Sequence, residues 1–116
     1  MPVKSTKQEI FLDALKKEGF PEPILVVGER SVFLEKHSHP YAVRALVIEG
    51  QIDITISGIK NTYLAGDTFE LLDRQPHSEN YGGKGVQYLT SRKGVLLQEK
   101  LDLGQIEGVE SQPSPT

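Results

Sequence analysis

The sequence predicts an all-β domain carrying one short N-terminal helix, and three observations lead there. From Ile24 onward, short β-rich segments are separated by Gly, Asn, Asp and Pro; the segment QIDITIS alternates apolar and polar residues; and a paired helix start and stop signal lies ahead of them, before residue 22. A chain of 116 residues is enough for one domain. Folding such a length buries roughly two thirds of its unfolded surface, so a single sizeable core is possible. The expected organisation is a helical segment over 1–22 packing on a β-sandwich or barrel domain over 23–101, followed by a disordered tail over 102–116, where two late prolines and few apolar residues leave little to bury.

The helix is read from STKQEIFLDALKKEGF. Thr6 with Glu9, or Ser5 with Gln8, can form a capping box at its start. Gly19 suits a left-handed cap at its end, Phe20 can touch Leu15, and Pro21 and Pro23 forbid continuation. Ile10, Phe11, Ala14 and Leu15 form one apolar stripe that must cover something, while Lys7, Asp13, Lys16 and Lys17 point to water.

The candidate strands follow in order as ILVV, SVFLEKH, AVRALVIE, QIDITIS, NTYLA, DTFELLD, SENY, GVQYLTSR and VLLQEKL. In QIDITIS the period of two turns Ile52, Ile54 and Ile56 inward. AVRALVIE is apolar on both faces, with Val43, Ala45 and Val47 on one and Ala42, Leu46 and Ile48 on the other, so it needs cover on both sides. The helix or a second copy of the chain can supply it, and together these apolar faces predict a homodimer.

Composition narrows the functional classes. The formal net charge is −3, yet Asp102, Glu107 and Glu110 are the only charges beyond residue 101, which leaves 13 bases against 13 acids before it. A neutral folded part without a basic block argues against a nucleic-acid partner or an anionic membrane surface. The longest apolar runs, residues 24–27 and 45–48, are far too short for a membrane span or a signal-peptide core, so a soluble cytoplasmic protein is the expectation. With no cysteine, any metal must be held by nitrogen or oxygen. No G-x-G-x-x-G, phosphate loop or G-x-S-x-G elbow is present, and Gly82, Gly83 and Gly85 read as turn residues.

The three histidines are His37 and His39 in KHSHPY and His77 in QPHSEN. In an extended strand, residues i and i+2 project to the same face, so His37 and His39 present two imidazoles side by side, a spacing suited to one metal ion. His77 opens another β-rich segment, from which a neighbouring strand can bring a third imidazole to the same ion. The alternatives are solvated loop histidines beside Pro40 and Pro76, or core histidines bonded to carbonyls.

KHSHPYAVRALVIEG followed by GDTFELLDRQPHSEN resembles the two sequence motifs of a small single-domain cupin, over roughly residues 24–92. In the first motif, G-x5-H-x-H-x3,4-E-x6-G, His37, His39 and Gly50 stand in place. Ser31 replaces the first glycine, and Val43 stands where the family has a glutamate ligand. In the second, G-x5-P-x-G-x2-H-x3-N, Gly66 and His77 match, Leu72, Arg74 and Tyr81 depart, and Asn80 falls one residue early.

The resemblance implies a jelly-roll β-barrel with a metal near one end of its interior, held by His37, His39 and His77. Because Val43 cannot coordinate, a neutral three-histidine site results, with open coordination positions. Similar three-histidine cupins include thiol and diketone dioxygenases, so ferrous iron is the favoured ion, while zinc, nickel, manganese and copper stay open. The implied function is a metal-dependent, dioxygenase-like enzyme on a small organic substrate. The alternative is a small-molecule binding or sensing cupin without catalysis, though no helix-turn-helix output segment accompanies it.

Beside these ligands, Glu79 lies two residues after His77 and shares its face, where it can replace the missing glutamate as ligand, partner or base; the bland reading is an exposed carboxylate on a frayed strand. Tyr41 has the parity of His37 and His39 and can wall the pocket or donate a hydroxyl, but packing after Pro40 explains it equally. Tyr88 is ambiguous in the same way, and Arg44 should point away from the barrel interior.

Overall fold

The computed structural model describes residues 6–94. Helix α1 covers Lys7–Lys17. Its capping box is built by Thr6 and Glu9: the Glu9 N–H donates to the Thr6 hydroxyl oxygen at 3.0 Å, and the Thr6 N–H donates to the Glu9 carboxylate at 3.0 Å. At the other end Gly19 takes φ +78°, and the Phe20 N–H reaches back to the Leu15 carbonyl at 2.8 Å. Phe11 and Leu15 pack on Leu46, flanked by Leu12, Phe20 and Leu89. Burying two such side chains contributes about 1.5–3 kcal/mol each, more than the intrinsic helix propensity of so short a segment. The expected stripe is corrected at one position: Ile10 is 57% exposed, because the buried face is centred on Phe11 and Leu15 and turns toward Leu12.

The strands are β1 Ile24–Gly28, β2 Phe33–His37, β3 Ala42–Ile56, β4 Ile59–Leu64, β5 Thr68–Leu71 and β6 His77–Lys93. Two long strands organise them. β3 and β6 pair antiparallel from Ala42↔Lys93 to Thr55↔Ser78. β1 and β2 share the far edge of β6, and β4 and β5 share the far edge of β3. The sequence breaks expected between AVRALVIE and QIDITIS, and between SENY and GVQYLTSR, are therefore bends within single strands. Gly50 at φ +86° faces Gly85 at φ +83°, and the β3–β6 register shifts around them. A glycine bends both strands there without ending either ladder. The segment VLLQEKL and the tail over 102–116 lie outside the described residues.

Between the two halves of this bent sheet sit Val43, Ala45, Val47, Ile52, Ile54, Phe69, Leu71, Tyr81, Val86 and Tyr88, with Ile56 packed against them. β3 is covered on both faces as its pattern requires: its inner face by this core, and Leu46 on its outer face by α1. Arg44, on that outer face, reaches Glu18 at 2.6 Å and Glu70 at 2.9 Å and stacks over Phe20, away from the barrel interior. No helix among the described residues is long and apolar enough to cross a membrane.

Two positions where the cupin motifs carry glycine hold other residues and yet keep a left-handed backbone, Ser31 at φ 57° and Arg74 at φ 60°. An L-residue there costs roughly 1–2 kcal/mol. Arg74→Gly is therefore expected to stabilise the fold by about 0.5–1 kcal/mol after glycine's greater unfolded-state freedom is deducted. Its exposed pairing with adjacent Asp73 has little to lose. A rise in the urea midpoint supports this; a fall contradicts it.

Candidate metal centre

The three histidines meet at one end of the bent sheet. His37 ends β2 and His77 opens β6, and the two pair directly in the ladder; His39 follows two residues after His37, in the link to β3. The ring centroids are 4.4 Å apart for His37 and His77, 5.0 Å for His37 and His39, and 5.4 Å for His39 and His77. One ligand atom from each ring lies within 4.8 Å of the others. Two metal–nitrogen bonds of about 2.1 Å at a tetrahedral angle set their nitrogens about 3.4 Å apart, so the rings must draw together by up to about 1.4 Å to share one ion.

Backbone carbonyls fix the rings. His37 Nδ1 lies 2.7 Å from the Glu35 carbonyl, and His77 Nδ1 lies 2.9 Å from the Gln75 carbonyl. A carbonyl only accepts, so both Nδ1 atoms carry the proton, and each Nε2 is left with a lone pair when its ring is neutral. Arg74 N–H donates to the His39 carbonyl at 2.6 Å, tying the β5–β6 loop to the third histidine. Tyr41 stacks parallel on the His39 ring, centroids 5.0 Å apart, and the Arg92 guanidinium lies over the Tyr41 ring, 5.3 Å from its centroid.

Glu79 is buried, not the exposed carboxylate of a frayed strand. Its Oε2 lies 3.2 Å from His77 Nε2 and 3.5 Å from His37 Nε2, the latter an ion-pair distance rather than a well-formed hydrogen bond. Its Oε1 accepts from the Tyr81 hydroxyl at 3.3 Å. The Glu79 carboxylate raises the His37 pKa against the opposing effect of burial. Burial pushes His39 down to about 4, helped by the two neighbouring rings, so it is neutral and available as a ligand near pH 7. Burial, then the Glu79 charge, raises Tyr81 above the ordinary tyrosine range, and burial does the same to the wholly enclosed Tyr88.

The donor set fits a cation. Two Nε2 lone pairs and a carboxylate oxygen converge with no donor hydrogen between them unless a ring or the acid is protonated, and His37 Nε2 and His39 Nε2 are enclosed without a hydrogen-bond partner. Tyr81 was missed as part of this cluster by sequence reasoning. Its signal was parity, since His77, Glu79 and Tyr81 alternate along β6 on one inward face. Val43, at the family's glutamate position, is instead fully buried in the apolar core. A cleft of about 270 Å³ opens beside His77, between Pro76 and the Ser57–Gly58 turn. A larger one, about 530 Å³, lies between α1 and the sheet and touches none of the three histidines.

No protein-family model and no curated protein sequence matches the chain. Solved structures do. The chain is similar to the DMSP lyase DddQ from Ruegeria pomeroyi, with 18% identity, covering 62% of this chain and 37% of that one at a TM-score of 0.56. It is similar to an RmlC-like cupin from Shewanella frigidimarina, with 19% identity over 66% and 71% of the two chains and a TM-score of 0.52. Oxalate decarboxylase from Bacillus subtilis matches at 22% identity over 62% and 20%, with a TM-score of 0.56. The chain thus spans little more than a third of the lyase and a fifth of the decarboxylase. Six antiparallel strands folded around a histidine cluster, matching cupin structures on this scale, give the conclusion that the chain has the fold of a small cupin.

Proposed function

We propose that the protein is a metal-dependent, dioxygenase-like cupin acting on a small organic substrate, with a divalent metal, ferrous iron in preference to zinc, nickel, manganese or copper, held by His37, His39 and His77. The observation that carries this reading is the convergence of His37 Nε2 and His77 Nε2 on the same Glu79 oxygen, an electron-rich pocket that calls for a positive charge. Ferrous iron, when bound, supplies an electrophile for substrate oxygen or sulfur atoms and redox chemistry toward dioxygen.

The chain's own residues then have separable tasks. Glu79 would stand in for the absent motif glutamate: Tyr81 donates to its Oε1, and Oε2 lies toward the histidines, where it can complete the ligand set or take the proton of an acidic substrate such as a thiol or an enol. Tyr41, stacked on His39, walls the entrance and orients the substrate. His37, whose side chain is 23% exposed, leaves the cluster open to solvent on its own side. The proposed organisation remains a helical segment, a barrel and a tail, acting as a homodimer.

Oxygen uptake by the ferrous protein against thiols, diketones and phenols tests the reading. The names of the similar structures add dimethylsulfoniopropionate and oxalate to that panel, followed by product release under nitrogen. Dioxygen consumption that depends on iron and one substrate class supports a dioxygenase; metal-loaded protein that binds but never turns over any of them replaces it with a binding cupin. Glu79→Gln keeps the shape and removes the charge, so a drop of about 10²-fold or more in kcat is expected if the carboxylate moves a proton. A Glu79→Gln variant with unchanged metal affinity and turnover removes Glu79 from the site.

A further inference from the structure

The bent sheet uses β6 twice. Its first half turns His77, Glu79 and Tyr81 inward, and beyond the glycine bend its second half turns Val86, Tyr88, Thr90 and Arg92 to the same interior. The alternate residues face the other way: Leu89 packs with α1, the Ser91 hydroxyl donates to the Pro21 carbonyl, and the Lys93 ammonium donates to the Glu18 carbonyl. Arg92 therefore carries a positive charge on the inward face, although one residue away on either side the strand faces outward. Its Nε is shielded from solvent. Its guanidinium lies over Tyr41, which is itself stacked on His39. The charge is felt at His39, where it adds to the effects that keep that ring neutral. Two residues back on the same face, Thr90 is 1% exposed and its hydroxyl meets no hydrogen-bond partner among the described residues. A buried hydroxyl left in that state costs about 1–3 kcal/mol.

We propose that Arg92, with Thr90 beside it, anchors a carboxylate group of the substrate, so that the substrate is a small organic acid held between this anchor and the histidine cluster. The inference rests on the metal centre proposed above and narrows its substrate class. Charge favours an acid. Among the described residues, the inward faces of β3, β5 and β6 hold one carboxylate, Glu79, and one cationic side chain, Arg92. A divalent ion placed beside them leaves positive charge in excess within an enclosed site, which an anionic substrate offsets and a neutral one does not. Shape favours a carboxylate. Stacking on Tyr41 uses the flat face of the guanidinium, while its N–H donors lie in the plane and match the two oxygens of a carboxylate. The Thr90 hydroxyl, which lacks an acceptor, can donate to one of those oxygens.

Calorimetric binding to the full chain tests this, with mercaptoacetate, glycolate and pyruvate each set against its neutral amide. The protein is loaded with ferrous iron under nitrogen, and measured again after chelator treatment. At least one acid is expected to bind about 30-fold tighter than its amide, the range of a charge-assisted bidentate contact. Arg92→Met should reduce that preference to about 3-fold or less, and Arg92→Lys, which keeps the charge and loses the fork, should fall between. Thr90→Val should weaken the acid about 3-fold or more while leaving the urea midpoint of the free protein equal or higher, because the hydroxyl it removes has no partner there. Circular dichroism confirms that each variant is folded. Failure of iron to bind removes the metal centre alone, since the chelator-treated protein should still prefer the acid, at lower affinity. Wild-type protein that binds no acid below about 10 mM, that binds acids and amides equally, or whose preference survives in folded Arg92→Met overturns the proposal.

Discussion

His77→Ala is expected to take bound metal from near one equivalent per chain to a small fraction, with at least about a 100-fold loss of affinity. Removing a partner of a ligand alone costs 10–100-fold, and His77 is a direct ligand in the proposed site. His77 Nε2 also lies 3.2 Å from Glu79 Oε2 and the residue is only 1% exposed, so truncation removes one polar contact of a buried carboxylate and opens a void at the end of the barrel. His37→Ala and His39→Ala should fall in the same direction, His37→Ala with less damage to the fold because its side chain is already partly in water. Metal analysis and circular dichroism on the same preparations separate ligand loss from unfolding. Near-stoichiometric metal in all three folded variants is the outcome that rejects the centre.

Gly50→Ala is expected to cost about 3 kcal/mol or more of stability. Two effects add. The backbone sits at φ +86°, where an L-side chain is strained, and a Cβ at this place runs into the carbonyl oxygen of Gly85 on β6. Gly58→Ala provides the comparison: φ is +80°, but nothing lies within 4 Å of the added carbon, so only the backbone cost of roughly 1–2 kcal/mol applies. Denaturant unfolding of the two variants reads the difference. Equal losses show that the close approach of β3 to β6 tolerates a methyl group.

Much of the site was legible because a period of two fixes faces. His37 and His39 share a side by spacing alone, and Glu79 follows His77 for the same reason. The third ligand needed more, since only the pairing of β2 with β6 puts His77 opposite His37, and no local pattern states which strands become neighbours. The motif resemblance supplied that link. Glycine misled in one place: Gly50 and the Gly82–Gly85 run read as strand breaks because the sequence does not show that they face each other across a continuous ladder. At Ser31 and Arg74 the reverse holds, since the backbone is left-handed there without the motif glycine. Ile10 reads as core on a helical wheel, yet its position at the cleft between α1 and the sheet depends on how the helix is rotated, which Phe11 and Leu15 decide. Tyr81, a departure from the motif, donates its hydroxyl to Glu79.

The distance along the chain between the histidines shapes when an ion can be captured. His37 and His39 are neighbours in any extended segment, but His77 joins them only after β6 has been laid between β2 and β3, a pairing that closes a loop of about forty residues. Ligation by all three rings would therefore have to wait until this pairing forms. An ion held by all three rings should act as a brake on unfolding and leave the refolding rate nearly untouched.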